Sequence, residues 1–297
     1  MKTKIITPPL TDKAQYGNTD TVKSPTSARK TIDKTNTIRF IVILSIATAM
    51  IVLALLAPFF APNDPLATDF LSILQEPGAQ YPLGTDQVGR CILSRLLYGA
   101  RVSLGMTFLM LGLIFILGVT IGTIAGITGG VVDSLIMRIS DTVLAFPDIV
   151  FAIAVVGMLG PGIINTIIAL SVIWWTKYAK LTRVLVMRAA ASDYMDAGKM
   201  AGAGKVKLVT HYLFPNIISP LIIQLALDIG NMMLALAALS FLGLGVQPPT
   251  PEWGSMLSEG REYLQTAPWL LIYPGLVIFA VVAVFNILGD SIRDLLD

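Results

Sequence analysis

From residue 38 onward the chain alternates between long apolar runs and shorter polar stretches. Six runs reach or approach the roughly 20 apolar residues that a helix needs to cross a bilayer. They are 38–60, 102–127, 139–159, 163–185, 217–244 and 269–288. The third contains Asp141, Pro147 and Asp148, and the fifth contains Asp228. Six such runs leave too little polar sequence to clothe them as buried helices of a water-soluble protein. The pattern therefore predicts an all-α membrane protein of about six transmembrane helices. Residues 1–37 are polar and rich in Lys, Thr and Ser, which predicts a disordered tail ahead of a transmembrane domain at 38–297. The first run is longer than the apolar core of a signal peptide and follows a longer polar lead-in, so it reads as a retained span.

Composition agrees with this pattern. Hydrophobic residues make up 55% of the 297 and charged residues 13%, about half the charge of an ordinary soluble domain. Mean hydropathy is +0.75. A net charge of +2 provides no global attraction to nucleic acid. With the N-terminus placed inside, 17 of the 21 Lys and Arg fall in inside segments and 4, namely Arg90, Arg95, Arg101 and Arg261, fall outside. The bias of basic residues toward the cytoplasm then predicts a multi-pass membrane protein with both termini cytoplasmic.

Several chemistries are excluded or unsupported. The single cysteine, Cys91, cannot form an internal disulfide, and with the single histidine, His211, it cannot supply the four ligands of a structural zinc site. No GxxxxGK[ST] phosphate loop is present, so the chain cannot hydrolyse ATP alone. No paired catalytic constellation is evident. The expectation is a transport subunit that is no enzyme, with no bound cofactor and no metal site.

The loops carry more information. In the outside loop 61–101, Ile92, Leu93, Leu96 and Leu97 recur at helical spacing with Arg90, Arg95 and Arg101 among them. This predicts an interfacial helix before the second span. The outside loop 245–268 is stiffened by Pro248, Pro249 and Pro251, and Trp253 and Trp269 are expected at the membrane interface. The inside loop at about 186–216 is basic and rich in small residues. Ala197, Gly198, Ala201, Gly202, Ala203 and Gly204 would let another surface approach closely. A short helix, a glycine-marked turn and a second segment ending at Pro215 are predicted there.

That loop resembles the EAA loop of ABC importer permeases. Asp196-Ala197-Gly198 stands where Glu-Ala-Ala is usual, and Gly202 is the motif glycine. Gly198 in place of Ala would weaken the helix by about 1 kcal/mol on propensity. Other blocks resemble the dipeptide, oligopeptide and nickel branch of that family. They are Gly84-Thr85-Asp86 through Gly99-Ala100-Arg101, Phe146-Pro147, Leu239 through Gly245, Pro248 through Gly254, and Asn286 through Asp294. Cys91 stands where the branch usually has Asp. The resemblance implies the type I ABC importer permease fold and the second, C-type permease of a heterodimeric pair. It also implies a homologous permease, two cytoplasmic ATPase subunits that bind ATP and Mg, and an extracytoplasmic substrate-binding protein. By resemblance, Asp196 through Lys205 form a coupling helix seated on the ATPase. Asp86, Arg90, Arg95, Glu252 and Trp253, in the outside blocks, are candidates for contact with the binding protein.

The cargo is less defined. Peptide permeases of the branch usually carry Glu where Leu236 stands, and Asp228 with its neighbours looks more like the nickel-type members. An ionisable side chain within a span is by default a functional candidate. Asp228, Met232 and Asp148 are therefore pathway candidates, with nickel or a metal chelate as the expected cargo and a di- or oligopeptide as the alternative. A structural role for Asp228, bonded to neighbouring helices, stays open, as does an ion-gradient-driven carrier. Asp141 is expected to pair with a basic residue at the inner face, and His211 to cap the loop.

Overall fold

The computed structural model describes residues 34–296, with the side chains of Lys34, Thr35, Lys205 and Leu296 outside the description. Of the tail expected at 1–37, residues 1–33 lie outside the described residues, and 34–37 form the first turn of α1. Helix α1 (Lys34–Leu55) is followed by the single turn α2 (Ala57–Phe60) and by a 31-residue outer loop. Helix α3 (Ile92–Thr128) runs 37 residues, about 55 Å at 1.5 Å per residue. The expected interfacial helix at 92–97 is its first turns, continuous with the second span. A straight helix can pass through the headgroups without a break, and nothing at 98–102 interrupts its backbone bonds.

The third expected span is two helices. α4 (Gly130–Leu144) and α5 (Asp148–Leu159) meet at 92°. Phe146 precedes a proline and is steered away from the helical region, while Pro147 has no N–H to continue the ladder. A new helix starts at Asp148, whose carboxylate suits the positive end of the helix dipole. α6 (Ile163–Ala190) extends past the expected boundary at 185, because Lys180, Arg183 and Arg188 lower its hydropathy without disturbing its backbone. The inside loop folds as α7 (Asp193–Met200), one turn α8 (Lys205–Lys207) and a π-type turn at Leu208–Leu213 leading into α9 (Phe214–Phe241). The outer loop holds α10 (Trp253–Gly260), and α11 (Trp269–Leu296) closes the chain. Among the described residues, α1, α3, α11 and the segment Leu208–Phe241 are each long and apolar enough to span, and the bent pair counts as a fifth. α6, with its four basic residues, completes the six-helix frame.

Close packing of α3 on α6 organises the bundle. Gly118, Gly122 and Gly126 lie four residues apart on one face of α3. A methyl group on Gly122 would come within 2.4 Å of the Ala179 carbonyl, and one on Gly126 within 2.7 Å of Val186. Small residues at this spacing let two backbones touch, which is where membrane helices gain their dispersion energy. Three apolar clusters follow along the bundle. One joins α1, α10 and α11 with the outer part of α3, around Trp253 and Phe285. The second joins α3, α5, α6 and α9 around Met110, Tyr178 and Met232. The third joins the inner ends of α3, α6 and α9 to α7, around Val186, Met195 and Leu213. Outward residues such as Leu109, Ile116 and Phe279 stay exposed, as suits a surface solvated by lipid.

Candidate functional site

Three regions carry the site residues expected from the sequence. At the inner end, α7 lies across the feet of α6 and α9. Its buried face is Met195 and Gly198, three residues apart. A methyl group on Gly198 would stand 3.0 Å from both Leu208 and Tyr212, so this glycine admits the π-type turn against the helix. Its cost in helix propensity is the condition for that contact. The helix ends in a Schellman arrangement. Gly202 N–H donates to the Lys199 carbonyl at 3.0 Å, and Ala203 N–H to the Gly198 carbonyl at 3.1 Å. Gly202 takes φ +74°, with nothing within 4 Å of where a side chain would begin. Asp196, Ala197, Ala201, Gly202 and Gly204 are all exposed, and Ala203 is half-buried. Asp196 pairs with Lys199 at 2.9 Å on the surface. The large apolar side chains of Met200 and Val206 stand 89% and 77% exposed on either side of this turn. Lys205 belongs to the same turn, and its side chain lies outside the description. His211 is exposed and shares a hydrogen bond with Thr210 at 2.8 Å.

At the outer end, the five residues expected to face a binding protein are buried within this chain: Asp86, Arg90, Arg95, Glu252 and Trp253. Arg90 Nε donates to Asp86 at 2.5 Å, and Arg90 and Arg95 both donate to Glu259 Oε2 at 2.9 Å. Two guanidinium groups and two carboxylates make a locally neutral cluster that ties the loop 61–91 to α10. Glu252 caps α10, accepting from the Gly254 and Ser255 N–H groups at 2.9 and 2.8 Å and from the Ser103 hydroxyl at 3.1 Å. Burial pushes its carboxyl above the usual range against the pull of those donors. Trp253 donates its indole N–H to the Leu96 carbonyl at 3.0 Å, and Trp269 donates to Thr85 at 3.3 Å. Both rings rivet loops to helices. Sequence reading missed Glu259 because its two partners lie more than 160 residues away.

Between these ends, Asp228 is 1% exposed midway along α9. Lys177 Nζ donates to it at 2.7 Å, the Tyr178 hydroxyl at 3.0 Å and Gln224 Nε2 at 2.9 Å. This is the structural arrangement left open above, with the carboxylate fully partnered. Lys177, which falls within the fourth apolar run and was counted on the inside only for orientation, sits mid-helix on α6. The pairing of Asp141 is with Lys180, and a second inner pair joins Asp133 to Arg183. Beside Asp228 a cavity of about 740 Å³ opens on the bundle surface. Asp148, Trp174, Lys177 and Asn231 supply its polar and aromatic lining, and Leu170, Leu234 and Leu239 part of its apolar wall. Of the three pathway candidates, Asp148 lines it, while Asp228 and Met232 are buried behind it. Lys177 and Asn231 are the lining residues that the sequence did not single out. The signal for Lys177 was an intramembrane lysine beside an aromatic pair, Trp174-Trp175. Among the described residues no three His, Cys, Asp or Glu side chains converge as metal ligands.

Residues 118–297 match the family described as binding-protein-dependent transport system inner membrane component. The di/tripeptide transport system permease DppC of Pseudomonas aeruginosa is 45% identical over 82% of this chain and 82% of its own length. The dipeptide transport system permease DppC of Haemophilus influenzae is 42% identical, covering 82% of this chain and 85% of that protein. The nickel transport system permease NikC of Escherichia coli is also 42% identical, covering 85% and 94%. A structure of the MetNI methionine ABC transporter in inward facing conformations superposes with a TM-score of 0.52 at 18% identity, over 67% of this chain and 94% of that one, which supports the fold. An ion-gradient carrier is thereby set aside, and the chain belongs to the binding-protein-dependent transport system inner membrane components, as an ABC importer permease of the dipeptide and nickel branch.

Proposed function

We propose that this permease forms one half of a pathway for short peptides and is driven through α7 by a cytoplasmic ATPase. The supporting observation is the turn at Gly202. It holds two large apolar side chains exposed, Met200 at the end of α7 and Val206 in α8, beside the α7 face that is anchored to α6 and α9. A partner seated there would move both helices that flank the groove. The loops 61–91 and 245–268 face the opposite side and receive an extracytoplasmic binding protein through their exposed surface. The buried ion cluster beneath gives that surface its shape. α4 and α5 expose Val131, Leu135, Val150 and Met158 beside the groove, a face suited to the homologous second permease. Both termini are cytoplasmic in this reading. Leaving Lys177, mid-helix on α6, out of the inside count keeps the basic asymmetry intact.

Peptide is favoured over a metal ion because Asp228 is neutralised by Lys177 and has no free lone pair turned to the groove. A metal chelate is the second reading, favoured by the nickel-permease relative and by Leu236 in place of the usual Glu. Replacing Gly202 with Leu tests the coupling role. It should abolish stimulation of ATP hydrolysis by the loaded binding protein while membrane insertion survives, and normal transport would remove the assignment. Uptake of labelled dipeptide and of labelled nickel in a deletion strain separates the cargoes.

A further inference from the structure

Lys177 holds Asp228 with one of its three N–H donors, and its side chain is 45% exposed to the groove. The ammonium also lies 5.3 Å from the centroid of the Trp174 ring. The same side chain lines the cavity, with two N–H donors not engaged by Asp228. Asp148 lines the same cavity from α5 and makes no hydrogen bond or ion pair among the described residues. Lys177 and Asp148 also share the smaller cavity of about 230 Å³ next to it. Asn231, from α9, places a carboxamide on the wall, its N–H₂ reaching weakly to Asp228 at 3.5 Å and its oxygen unengaged. Three helices thus bring one ammonium, one carboxamide and one carboxylate to a wall that is otherwise apolar.

We infer that this wall is a bipolar subsite for a zwitterionic peptide, with Lys177 taking the terminal carboxylate, Asn231 a peptide group and Asp148 the terminal ammonium. The inference rests on the peptide reading above and adds the residues that meet the cargo. A carboxylate is satisfied only by donors, and the Lys177 ammonium is held in place for it by a buried partner that cannot move away. Asp228 acts here as a positioning residue. It fixes the ammonium at the wall and cancels the charge excess that an unpaired lysine would carry in the span. A site of this volume with a few polar groups in an apolar wall has the ordinary build of a small-ligand pocket. A bare divalent cation would meet the ammonium as well as the carboxylate, and it gains little from such a wall.

The test uses the complete transporter in proteoliposomes: both permeases, the ATPase subunits and the loaded binding protein. Asp148→Asn removes a charge from an exposed position without a side-chain partner, so it should cost no more than the roughly 1 kcal/mol of its interaction with the α5 dipole. The double variant Lys177→Gln with Asp228→Asn removes both charges together and leaves no buried charge unpaired. Each should lower dipeptide uptake about tenfold or more, the scale of one lost charge-assisted bond. ATP hydrolysis stimulated by the loaded binding protein should stay within about twofold of the parent. Unchanged uptake in Asp148→Asn, with the parent importing peptide, overturns the subsite. Loss of uptake and of stimulated hydrolysis together in the double variant assigns the pair to coupling and overturns the role of Lys177. Absence of dipeptide import by the parent transporter overturns the peptide reading itself.

Discussion

Lys177 and Asp228 meet at 2.7 Å midway along two antiparallel helices, one side chain half exposed to a groove and the other sealed. The asymmetry of burial makes the pair unequal. Lys177→Met strands a carboxylate at 1% exposure with only neutral donors, and breaking a buried pair in this way costs about 3–5 kcal/mol. Asp228→Asn leaves an ammonium that can turn into the groove, and it should cost about 1 kcal/mol, the worth of a typical hydrogen bond. Thermal denaturation of the two single variants and the double variant in detergent measures the difference. Equal losses would mean that the burial is shared.

Cys91 provides the assay. It is the only cysteine in the chain and is buried at the start of α3. A thiol-specific fluorophore should label it slowly in the folded protein and rapidly once α3 separates from α10, when partner subunits carry no cysteine. Rapid labelling under native conditions would show that the outer end of α3 opens locally.

Gly122 and Gly112 lie on the same helix and should respond oppositely to alanine. A methyl group at Gly122 would meet the Ala179 carbonyl at 2.4 Å, whereas Gly112 has nothing within 4 Å. Gly122→Ala must push α3 from α6, at about 1–3 kcal/mol for overpacking. Gly112→Ala gains up to about 1 kcal/mol from helix propensity. Midpoints of Cys91 labelling on heating give both signs.

Glu252 predicts a pH dependence. Its carboxyl is raised by burial, so the folded protein binds a proton at pH values where the unfolded chain has lost it. The stability that this group contributes is complete below the unfolded carboxylate value of about 4.3 and is lost as pH rises through the folded value. Glu252→Gln removes the titration. The stability of the parent relative to this variant should therefore be greater near pH 5 than near pH 8. A difference that grows toward higher pH would mean that the cap's donors outweigh its burial.

Gly198 and Gly202 separate folding from coupling. Gly198→Leu drives a side chain into Leu208 and Tyr212 and should loosen α7, lowering both the labelling midpoint and transport. Gly202→Leu meets open space and carries only the strain of φ +74°, about 1–2 kcal/mol. It should lower the midpoint by only a few degrees while stimulated ATP hydrolysis falls. Loss of both properties in both variants would tie the turn to folding alone.

Much of this architecture is legible along the chain because a bilayer imposes a local rule. Each span must satisfy its own backbone and present about 20 apolar residues, so α1, α9 and α11 announce themselves. The glycine-marked turn after α7 is equally local, since φ +74° at Gly202 suits a residue without a side chain. Pro147 signals a break in the third span, but its sequence does not state that the two halves turn by 92°. The charged residues were read least well. Hydropathy placed Lys177 within the fourth run but gave it no partner, and motif resemblance placed Arg90 and Arg95 on a docking surface.

The sequence by itself determined most of the spans and the inner loop, with its short helix and glycine-marked turn. Each of these depends on neighbours within a few residues. Only the tertiary structure decided that Lys177 closes on Asp228, that Glu259 gathers Arg90 and Arg95, and that Trp253 reaches the Leu96 carbonyl. A charge in an apolar setting is tolerable only with a partner, and which partner it finds is set by how α3, α6, α9 and α10 pack, across separations of 50 to 169 residues.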